Sequence, residues 1–600
     1  MKALAYPFDS EYILKKKKSI KNQLMNADLY DVSHRIPVKI AILGSSTTRD
    51  IQAILELFLL NYGIQPDFYE SEYAMYWQDV MFDNPRLLAF APDVIFIHTS
   101  FRSLKALPTV RDSQAAVEAL LAQTYEHYEV MWQKIEATFH CPIIQNNFEQ
   151  PFYRLLGNKD VADYRGAAHF VHNLNTRFYD YAQTHNNFYI HDINYIASCY
   201  GLQKWSDPFY WHMYKYALAV PAIPEFAYNL ANIIKSIYGK NKKGFVLDLD
   251  NTLWGGVVGD DGPEQIEIGQ ETSMAQLYSE FQSYLKAHKD LGVLLSINSK
   301  NDEENALAGL SRPDSILQPD DFVVIKANWE SKDRNLVDIA RQLNLGADSM
   351  VFIDDNPAEQ HIVREMVPGV AVPEIGNAEQ YLHRIDRSGF FEVTSLSEDD
   401  LKRNEMYQEN ARRSRLETSF TNYREYLLSL EMKAEILPFS SLYMSRIAQL
   451  TNKSNQFNLT TRRCSLAEIE EIAANEQYLT LYGRLEDKFG DNGVVSVVFG
   501  HVDQADPGTL HIDVWLMSCR VLKRDMELAM MDALADECTR RGITQLYGYY
   551  YPTAKNKMVK DFYGLQGFER VQEDARGNTT WHMALSPSYT RKNKVIHINP

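Results

Sequence analysis

The chain has 600 residues, a formal net charge of −18 at pH 7, and 45% hydrophobic against 23% charged residues. This composition is typical of globular proteins and excludes a disordered or fibrous chain, and the length predicts three or four domains. The acidic balance argues against general nucleic-acid binding, which normally needs a basic surface. Any phosphate group must therefore be bound locally.

The N-terminal residues and the cysteines favour a cytoplasmic protein. Lys15 to Lys18 form a basic run, but the apolar core and cleavage site of a signal peptide do not accompany it. The sequence contains no run of about 18 apolar residues, so we expect no membrane partner. The five cysteines are scattered and never spaced as C-x-x-C, which is typical of reduced thiols in a cytoplasm.

The rhythm of apolar segments predicts a multidomain α/β protein. In the first large block, strands alternate with helices as in a parallel sheet covered on both faces, and the same rhythm restarts after the basic segment GKNKKG. The last block is richer in alternating strands and predicts an α+β domain. We predict a helical leader (1–37), a first α/β domain (38–238), a second α/β domain (239–392), a helical connector (393–430), an α+β domain (431–585) and a tail (586–600).

Polar residues follow each strand of the second α/β domain. Because ligands in open α/β sheets bind at the carboxyl ends of strands, we expect these residues to share one crevice. Asp and Asn also favour turns and helix caps, so either DLDN or DDNP alone could have only a structural role. A structural role does not explain the whole set of polar residues in this order. In chain order the set comprises Asp248, Asp250, Thr252, Asn298, Ser299, Lys300, Asn301, Lys332, Asp354 and Asp355.

Several carboxylates in one crevice need a hard cation, and Mg²⁺ prefers carboxylate oxygen and water. The arrangement resembles the haloacid dehalogenase (HAD) superfamily in its D-x-D-x-T phosphatase form, and the resemblance implies a capless, Rossmann-like core. By that resemblance Asp248 attacks phosphorus, and Asp250 protonates the leaving oxygen and later activates water. The resemblance further implies that Ser299 and Lys332 hold the phosphoryl oxygens, with Thr252, Asn298, Lys300 and Asn301 near the substrate. Asp354 and Asp355 would complete the Mg²⁺ site with Asp248 and the carbonyl of Asp250.

Two gaps in this motif set leave no room for a cap domain. About fifty residues separate Asp250 from Ser299, and about thirty separate Ser299 from Lys332. A turn, a helix and a strand already occupy the first gap. An uncapped crevice does not exclude water by itself and can admit a bulky partner, such as a carrier protein that presents a tethered substrate.

The stretch LDLDNTLWGGVVGDDG, with SKND, NW-x-x-K and LTNKSNQFNLTTRR, resembles the FkbH-like proteins over nearly the whole chain. The resemblance implies loading of a glyceryl unit from 1,3-bisphosphoglycerate onto an acyl carrier protein, with loss of phosphate. Similar proteins occur in surface-polysaccharide gene sets. Loading members carry a cysteine before the SKN segment for a thioester, but Asn298 occupies that position here, and an amide is no such nucleophile.

The first α/β domain resembles an SGNH hydrolase. The resemblance points to a nucleophile at Ser45 or Ser46, to Asn146 and Asn147, and to Asp207 with His212 as base. Asp207 and His212 stand five apart, whereas three is usual in that superfamily. The alternative is that Ser45 and Ser46 cap a helix and that His212 lies in an ordinary aromatic cluster.

The last domain resembles GNAT acyltransferases, which bind pyrophosphate at a glycine-rich helix N-terminus. Lys523 and Asp525 occupy the usual glycine positions, which argues against acetyl-CoA, although Asp525 suits a helix cap. We expect a basic patch for an acidic carrier protein, or else solvated surface charges. Its members would be Arg462, Arg463, Arg520, Lys523 and Arg524.

Three functions follow from these features. The first is a Mg²⁺-dependent HAD enzyme that dephosphorylates a three-carbon donor and delivers the acyl unit to a carrier protein. The second is a phosphatase for a small phosphorylated metabolite or sugar in polysaccharide modification. The third is a non-catalytic scaffold whose outer domains only bind partners.

Overall fold

The computed structural model describes residues 1–553, 555–586 and 589–599. The chain divides into two compact units, Met1–Ile237 with Ser465–Glu468, and Tyr238–Cys464 with Ile469–Pro600. The multidomain α/β class predicted from the sequence is confirmed. Of the helices in the described part of the chain, none has the length and apolar character needed to cross a membrane.

In the first unit, five parallel strands form one sheet and helices connect them. The strands are β1 (Ile36–Gly44), β2 (Ile64–Glu70), β3 (Val94–His98), β4 (Ile143–Asn146) and β5 (Phe188–His191), in the order β2-β1-β3-β4-β5. The helices are α1 (Ser10–Leu24), α2 (Arg49–Asn61), α3 (Tyr76–Met81), α4 (Pro85–Phe90), α5 (Gln114–Phe139), α6 (Ala167–Thr184), α7 (Ile193–Tyr200), α8 (Leu202–Trp205), α9 (Pro208–Tyr214) and α10 (Ile223–Ile237).

Two sequence expectations for this unit need revision. Helix α1 packs against α2 and α10, so the leader belongs to the unit instead of preceding it. The apolar stretch FYIHDINYIA predicts one strand, but β5 ends at His191 and α7 begins at Ile193. The side chain of Asp192 accepts a hydrogen bond from the Tyr195 N–H at 3.1 Å, and this N-cap starts the helix.

In the second unit, a four-stranded parallel sheet begins directly after the GKNKKG segment. Its strands are β6 (Gly244–Leu247), β7 (Leu294–Ser299), β8 (Val324–Ala327) and β9 (Met350–Ile353), in the order β8-β7-β6-β9. Because all four are parallel, their carboxyl ends lie at one edge. The helices of this region are α11 (Val258–Asp261), α12 (Ser273–Asp290), α13 (Glu303–Leu310), α14 (Lys332–Gln342), α15 (Pro357–Met366) and α16 (Ala378–Arg387).

The predicted connector is helical, with α17 (Glu398–Leu401), α18 (Arg403–Glu417) and α19 (Tyr423–Ser429). It leads to a mixed sheet of nine strands. These strands are β10 (Lys433–Leu437), β11 (Phe457–Asn458), β12 (Tyr478–Asp487), β13 (Gly490–Val502), β14 (Thr509–Met517), β15 (Gln545–Tyr550), β16 (Glu569–Glu573), β17 (Thr579–Ala584) and β18 (His597–Asn599). The remaining helices are α20 (Met444–Lys453), α21 (Leu466–Ala474), α22 (Met526–Arg541) and α23 (Phe562–Leu565).

The nine strands run in the order β16-β17-β15-β14-β13-β12-β10-β18, and β11 pairs with β14. Neighbours are antiparallel except for the parallel pairs β14 with β15 and β10 with β18. Strand β18 lies in the segment predicted as a tail, so that expectation is wrong for residues 597–599. Residues 587, 588 and 600 of the predicted tail lie outside the described residues.

A buried ion network ties the connector to the nine-stranded sheet. Arg413 on α18 donates two hydrogen bonds of 2.8 Å to the carboxylate of Asp487 at the end of β12. Arg524 contacts the same carboxylate at 3.2 Å, and Glu409 lies 3.3 Å from Arg413. Burial, followed by the neighbouring charge of Arg413, lowers the pKa of Arg524 to about 10. Asp487 is therefore the shared counter-charge of two buried guanidinium groups.

Replacing this carboxylate should strongly destabilise the second unit. Asp487→Asn keeps the side-chain shape but leaves two buried cations without their shared anion, and we expect a loss of about 3–5 kcal/mol in the free energy of unfolding. Urea denaturation of the full chain measures the loss. Asp491→Asn is the matched control, because Asp491 pairs with Arg484 at the surface and should cost less than about 1 kcal/mol. Equal losses in the two variants would contradict the role of the network.

Candidate active site

The first two carboxylates follow β6, where the chain turns sharply. The Asp248 N–H donates to the Ile353 carbonyl at 2.9 Å and extends the pairing of β6 with β9. Asn251 has φ +53, a left-handed conformation that asparagine tolerates well. The Thr252 hydroxyl accepts a hydrogen bond from the Asp355 N–H at 3.2 Å. This bond holds the loops after β6 and β9 together, so that their carboxylates converge.

Lys332 bridges two of these carboxylates. Its Nζ lies 2.7 Å from Oδ2 of Asp248 and 2.6 Å from Oδ2 of Asp354, and all three residues are buried. Burial alone would lower the pKa of Lys332, but the charges of Asp248 and Asp354 outweigh it and raise that pKa above its ordinary value. Lys332 is therefore a firmly charged cation in the middle of the site.

One lysine does not neutralise the carboxylates around it. Oxygen atoms of Asp248, Asp354 and Asp355 lie within 4.8 Å of one another. Burial, and next the charge of Asp248, raise the pKa of Asp354 to about 6 and also raise the pKa of Asp355. Three oxygen donors with excess negative charge fit a hard divalent cation, which these residues could hold.

Asp250 lies in a different environment from this cluster. Its Oδ1 accepts hydrogen bonds from Trp254 Nε1 at 2.9 Å and from the Val258 N–H at 3.0 Å. Its Oδ2 accepts one from Asn301 Nδ2 at 2.7 Å. Burial is the largest influence on this group and raises the pKa of Asp250 despite these three donors. The carboxyl group is thus fixed in orientation and retains a proton more readily than a free aspartate.

The residues at the end of β7 and directly after it have different surroundings. Ser299 is buried at the end of β7. Asn298 is fully buried and donates from Nδ2 to the Lys332 carbonyl at 2.8 Å, whereas its Oδ1 has no hydrogen-bond partner. Lys300, predicted near the substrate, instead pairs with Glu359 on α15 at 2.6 Å.

Two residues of the site were not predicted from the sequence. Trp254 orients Asp250, as described above. Gln360 donates from Nε2 to the carbonyl of Asp354 at 2.6 Å and steadies the loop after β9. The signal for Trp254 is its place in the LDLDNTLWGG stretch. Gln360 lies one helical turn into α15, and the sequence offers no signal that singles it out.

The residues of the predicted hydrolytic triad do not form a hydrogen-bonded chain in the described structure. Ser45 Oγ bonds to Ser103 Oγ at 2.6 Å, and Ser46 Oγ is buried without a partner. Asp207 caps α9 by accepting from two backbone N–H groups of that helix, and His212 on α9 is exposed. The helix α2 is not capped by Ser45 or Ser46, because its N-cap residue is Thr48.

The two asparagines after β4 serve the packing of the parallel sheet. Asn146 is fully buried and joins two strand ends, with its amide nitrogen 2.9 Å from His98 Nδ1 and its Oδ1 2.9 Å from His191 Nδ1. Asn147 donates to Asp192 at 2.6 Å and to the Tyr179 hydroxyl at 2.9 Å. Neither asparagine bonds to a serine among the described contacts.

The predicted basic patch is wrong as an exposed surface. Arg524 is buried in the network with Asp487, and the side chain of Arg520 is only 6% exposed. Arg463 donates to the Asn452 carbonyl and to Asn455. Arg462 remains partly exposed and Lys523 is exposed. The sequence did not show that Arg524 and Arg463 have acidic and polar partners, because these partners are brought close only by the fold.

The N-terminus of α22 also differs from the expected cap. Asp525 occupies the N-cap position with φ +57, but its side chain makes no capping hydrogen bond. Burial raises the pKa of Asp525.

The family model described as "FkbH, N-terminal domain" matches residues 39–235. None of the curated proteins with which the chain was compared is similar to it. Among solved structures, the ribosomal-protein-S18-alanine N-acetyltransferase of Escherichia coli is 13% identical with a TM-score of 0.20, covering 27% of this chain and 99% of that one. Ard1 of Thermoplasma volcanium is 16% identical with a TM-score of 0.20, covering 26% and 98%.

A longer match covers 63% of this chain and 99% of the other, with 30% sequence identity and a TM-score of 0.58. It is the N-terminal part of the protein BF1531 from Bacteroides fragilis, which contains a phosphatase domain and was crystallised with Mg. The chain therefore belongs to the family of BF1531.

Proposed function

We propose that the chain is a Mg²⁺-dependent phosphatase of the HAD type that acts on a phosphorylated small molecule. The observation that carries this proposal is the contact of Lys332 with both Asp248 and Asp354, beside Asp355. The arrangement supplies one nucleophilic carboxylate, one fixed cation and a set of oxygen donors at a single sheet edge. The Mg-bound phosphatase domain of BF1531 supports the proposal.

Each residue has a separate part in the proposed reaction. Asp248, Asp354 and Asp355 would hold Mg²⁺, which when bound offsets negative charge on the transferring phosphoryl group. Asp248 attacks phosphorus through a carboxylate oxygen, and Lys332 stabilises the phosphoryl oxygens at short range. Ser299 lies at the neighbouring strand end for a further hydrogen bond.

Asp250 acts as the acid that protonates the leaving oxygen. Its raised pKa, caused first by burial, keeps a proton available, and its three hydrogen-bond donors fix the direction of the carboxyl group. After the leaving group departs, the same carboxylate accepts a proton from the water that hydrolyses the acyl phosphate. Asp250 is hydrogen-bonded by other groups, whereas Lys332 pairs with Asp248, so the acid and the nucleophile have distinct roles.

The proposed substrate is 1,3-bisphosphoglycerate, which carries both a phosphate ester and an acyl phosphate. Asp248 takes the phosphoryl group of the ester, and the thiol of an acyl carrier protein attacks the acyl carbon and displaces the second phosphate, so that the glyceryl unit passes to the carrier. The resemblance of LDLDNTLWGGVVGDDG to the FkbH-like proteins supports this assignment, as does the FkbH N-terminal domain match. The helices α11 and α12 and the strand β7 occupy the chain between Asp250 and Ser299. Because no room remains there for a cap domain, the crevice is open to a large partner. In the same proposal, the outer domains are SGNH-like and GNAT-like.

A second candidate is hydrolysis of a small phosphorylated metabolite or sugar without acyl transfer. The observation in its favour is Asn298, which occupies the position of the thioester cysteine in loading members and is held in place by the Lys332 carbonyl. Phosphate release from 1,3-bisphosphoglycerate, with intact-mass analysis of candidate carrier proteins, distinguishes the two candidates. An acylated carrier protein supports the first, and free product alone supports the second.

Removal of the proposed nucleophile should nearly abolish phosphate release. Asp248→Asn should reduce the rate by about a thousandfold or more, because the covalent step is lost while shape is kept. Colorimetric phosphate release measures the effect, and fluoroberyllate should bind the native protein as an acyl-phosphate mimic but not the variant. Asp290→Asn, at the exposed end of α12, is the control and should have native activity. A fully active Asp248→Asn variant would overturn the proposed chemistry.

Mg²⁺ affinity should depend on pH through Asp354. The pKa of Asp354 is raised to about 6, so below that pH a proton competes with the cation and affinity should fall by about tenfold per pH unit. Above pH 6 the carboxylate is ionised and affinity should be nearly constant. Calorimetric titration of the metal-free protein at several pH values tests this. Asp354→Asn should bind more weakly and with a shallower pH dependence, and an unchanged slope would contradict the assignment.

Restoring a thiol at position 298 should add acyl capture if the first candidate is correct. Asn298→Cys places a nucleophile beside Ser299 and Lys332, and incubation with 1,3-bisphosphoglycerate should give a hydroxylamine-sensitive mass increase of one glyceryl unit. Asn298→Ser is the control, since its oxygen ester should resist neutral hydroxylamine. A stable adduct on a native cysteine that persists in Asp248→Asn would contradict the phosphoenzyme route.

A further inference from the structure

A second group of polar side chains lies at the carboxyl edge of the sheet in the first unit. Ser45 follows β1, Arg102 and Ser103 follow β3, and Glu149 follows β4. The loops that carry them are in contact, because Ser45 Oγ bonds to Ser103 Oγ at 2.6 Å and the Phe101 N–H donates to Glu149 Oε2 at 3.1 Å. Such an edge is where open parallel sheets bind ligands.

One oxygen of the buried Glu149 carboxyl group lacks a hydrogen-bond donor. The residue is fully buried, and only one of its two side-chain oxygens is hydrogen-bonded, since Oε1 has no partner. Ser46 Oγ, from the adjoining loop after β1, is likewise buried and unpartnered. An unsatisfied buried polar atom destabilises the folded chain, so two in one region indicate missing hydrogen-bond partners.

Arg102 lies near this carboxyl group and packs against two aromatic rings. Its guanidinium lies 5.1 Å from the ring centroid of Phe152 and 5.1 Å from that of Trp211. In the described structure its hydrogen bonds are to Ser206 Oγ, at 3.3 and 3.4 Å, and none is to a carboxylate. A guanidinium that packs against two aromatic rings is ordered in advance for bidentate binding of a carboxylate or phosphate.

Arg102 and Glu149 interact electrostatically, yet they form no direct ion pair in the described part of the chain. A ligand group can therefore lie between them. Arg102 is only partly buried, and the segments that supply its two flanking rings are exposed at Tyr153 and Phe209, which are 82% and 63% exposed. The Arg102 side of the site is thus open to a small molecule.

We propose that this edge is a second ligand site, distinct from the phosphatase crevice, for a small organic anion that also carries a hydroxyl group. Arg102 binds the carboxylate or phosphate, and the hydroxyl group donates to Glu149 Oε1. Ser46 lies on the adjoining loop and offers a further hydroxyl group to the ligand. The site binds its ligand without a covalent step and needs neither Asp207 nor His212.

Hydrogen–deuterium exchange on the full chain tests the proposal. The probes are D-glycerate and glycerol 3-phosphate, which distinguish a carboxylate from a phosphate, with glycerol and inorganic phosphate as probes that lack one required group. We expect at least one of the first two to protect residues 98–103, 145–153 and 205–212, and glycerol and inorganic phosphate to protect them much less. Protection in Asp248→Asn should equal that in the native protein, because the phosphatase crevice is not involved.

Variants at the two recognition groups complete the test. Arg102→Lys and Glu149→Gln should each weaken binding by about tenfold or more, as expected for loss of a charge-assisted hydrogen bond. Arg177→Lys is the matched control, because Arg177 lies over the ring of Tyr125 at 5.7 Å elsewhere in the unit and should bind normally. If Glu149→Gln fails to fold, the Arg102→Lys result decides. Absence of protection by both probes, protection confined to residues 248–256, equal protection by inorganic phosphate, or native affinity in Arg102→Lys would each overturn the proposal.

Discussion

The contact of one buried lysine with two buried carboxylates is the interaction on which the candidate active site depends. Lys332, Asp248 and Asp354 come from three separate elements, and each would be costly to bury alone. Against the effect of burial, the two carboxylates raise the pKa of Lys332 and keep it charged, and the excess of carboxylate over amine creates the demand for a further cation. The same charges that make the site chemically useful therefore also hold the ends of β6, β9 and α14 in position.

The parallel sheets and the meeting of Asp248, Asp354 and Asp355 at one sheet edge could be predicted from the sequence because their signals are local. Buried strands such as β6 and β9 are continuous apolar runs. Asp248 directly follows β6, and Asp354 directly follows β9. The edge strand β2 could not be predicted, because its sequence IQPDFYE contains a proline and polar residues that a buried strand lacks. The end of β5 could not be predicted either, since an N-cap at Asp192 interrupts an apolar pattern that would otherwise continue.

The fate of charged side chains could not be predicted, because it depends on partners far along the chain. Arg524 looks exposed in the sequence, yet its counter-charge Asp487 lies on a different strand. Lys300 follows β7 directly, but its side chain pairs with Glu359. Glu149 and Arg102 belong to no recognisable sequence motif. They are neighbours only because the loops after β3 and β4 meet at the edge of the sheet. The sequence shows where charged residues occur, but only the tertiary structure shows which residues they pair with.

The strand β18 has a consequence for how the second unit is made. It pairs with β10 at one end of the nine-stranded sheet, whereas β17, which precedes it in the chain, lies near the opposite end. The segment that joins them must therefore cross the sheet before the last pairing forms. Contacts between residues this far apart in sequence form slowly. During synthesis on the ribosome, the edge of β10 that faces β18 stays unpaired until the residues of β18 have emerged, and an unpaired strand edge is a template for pairing with another chain.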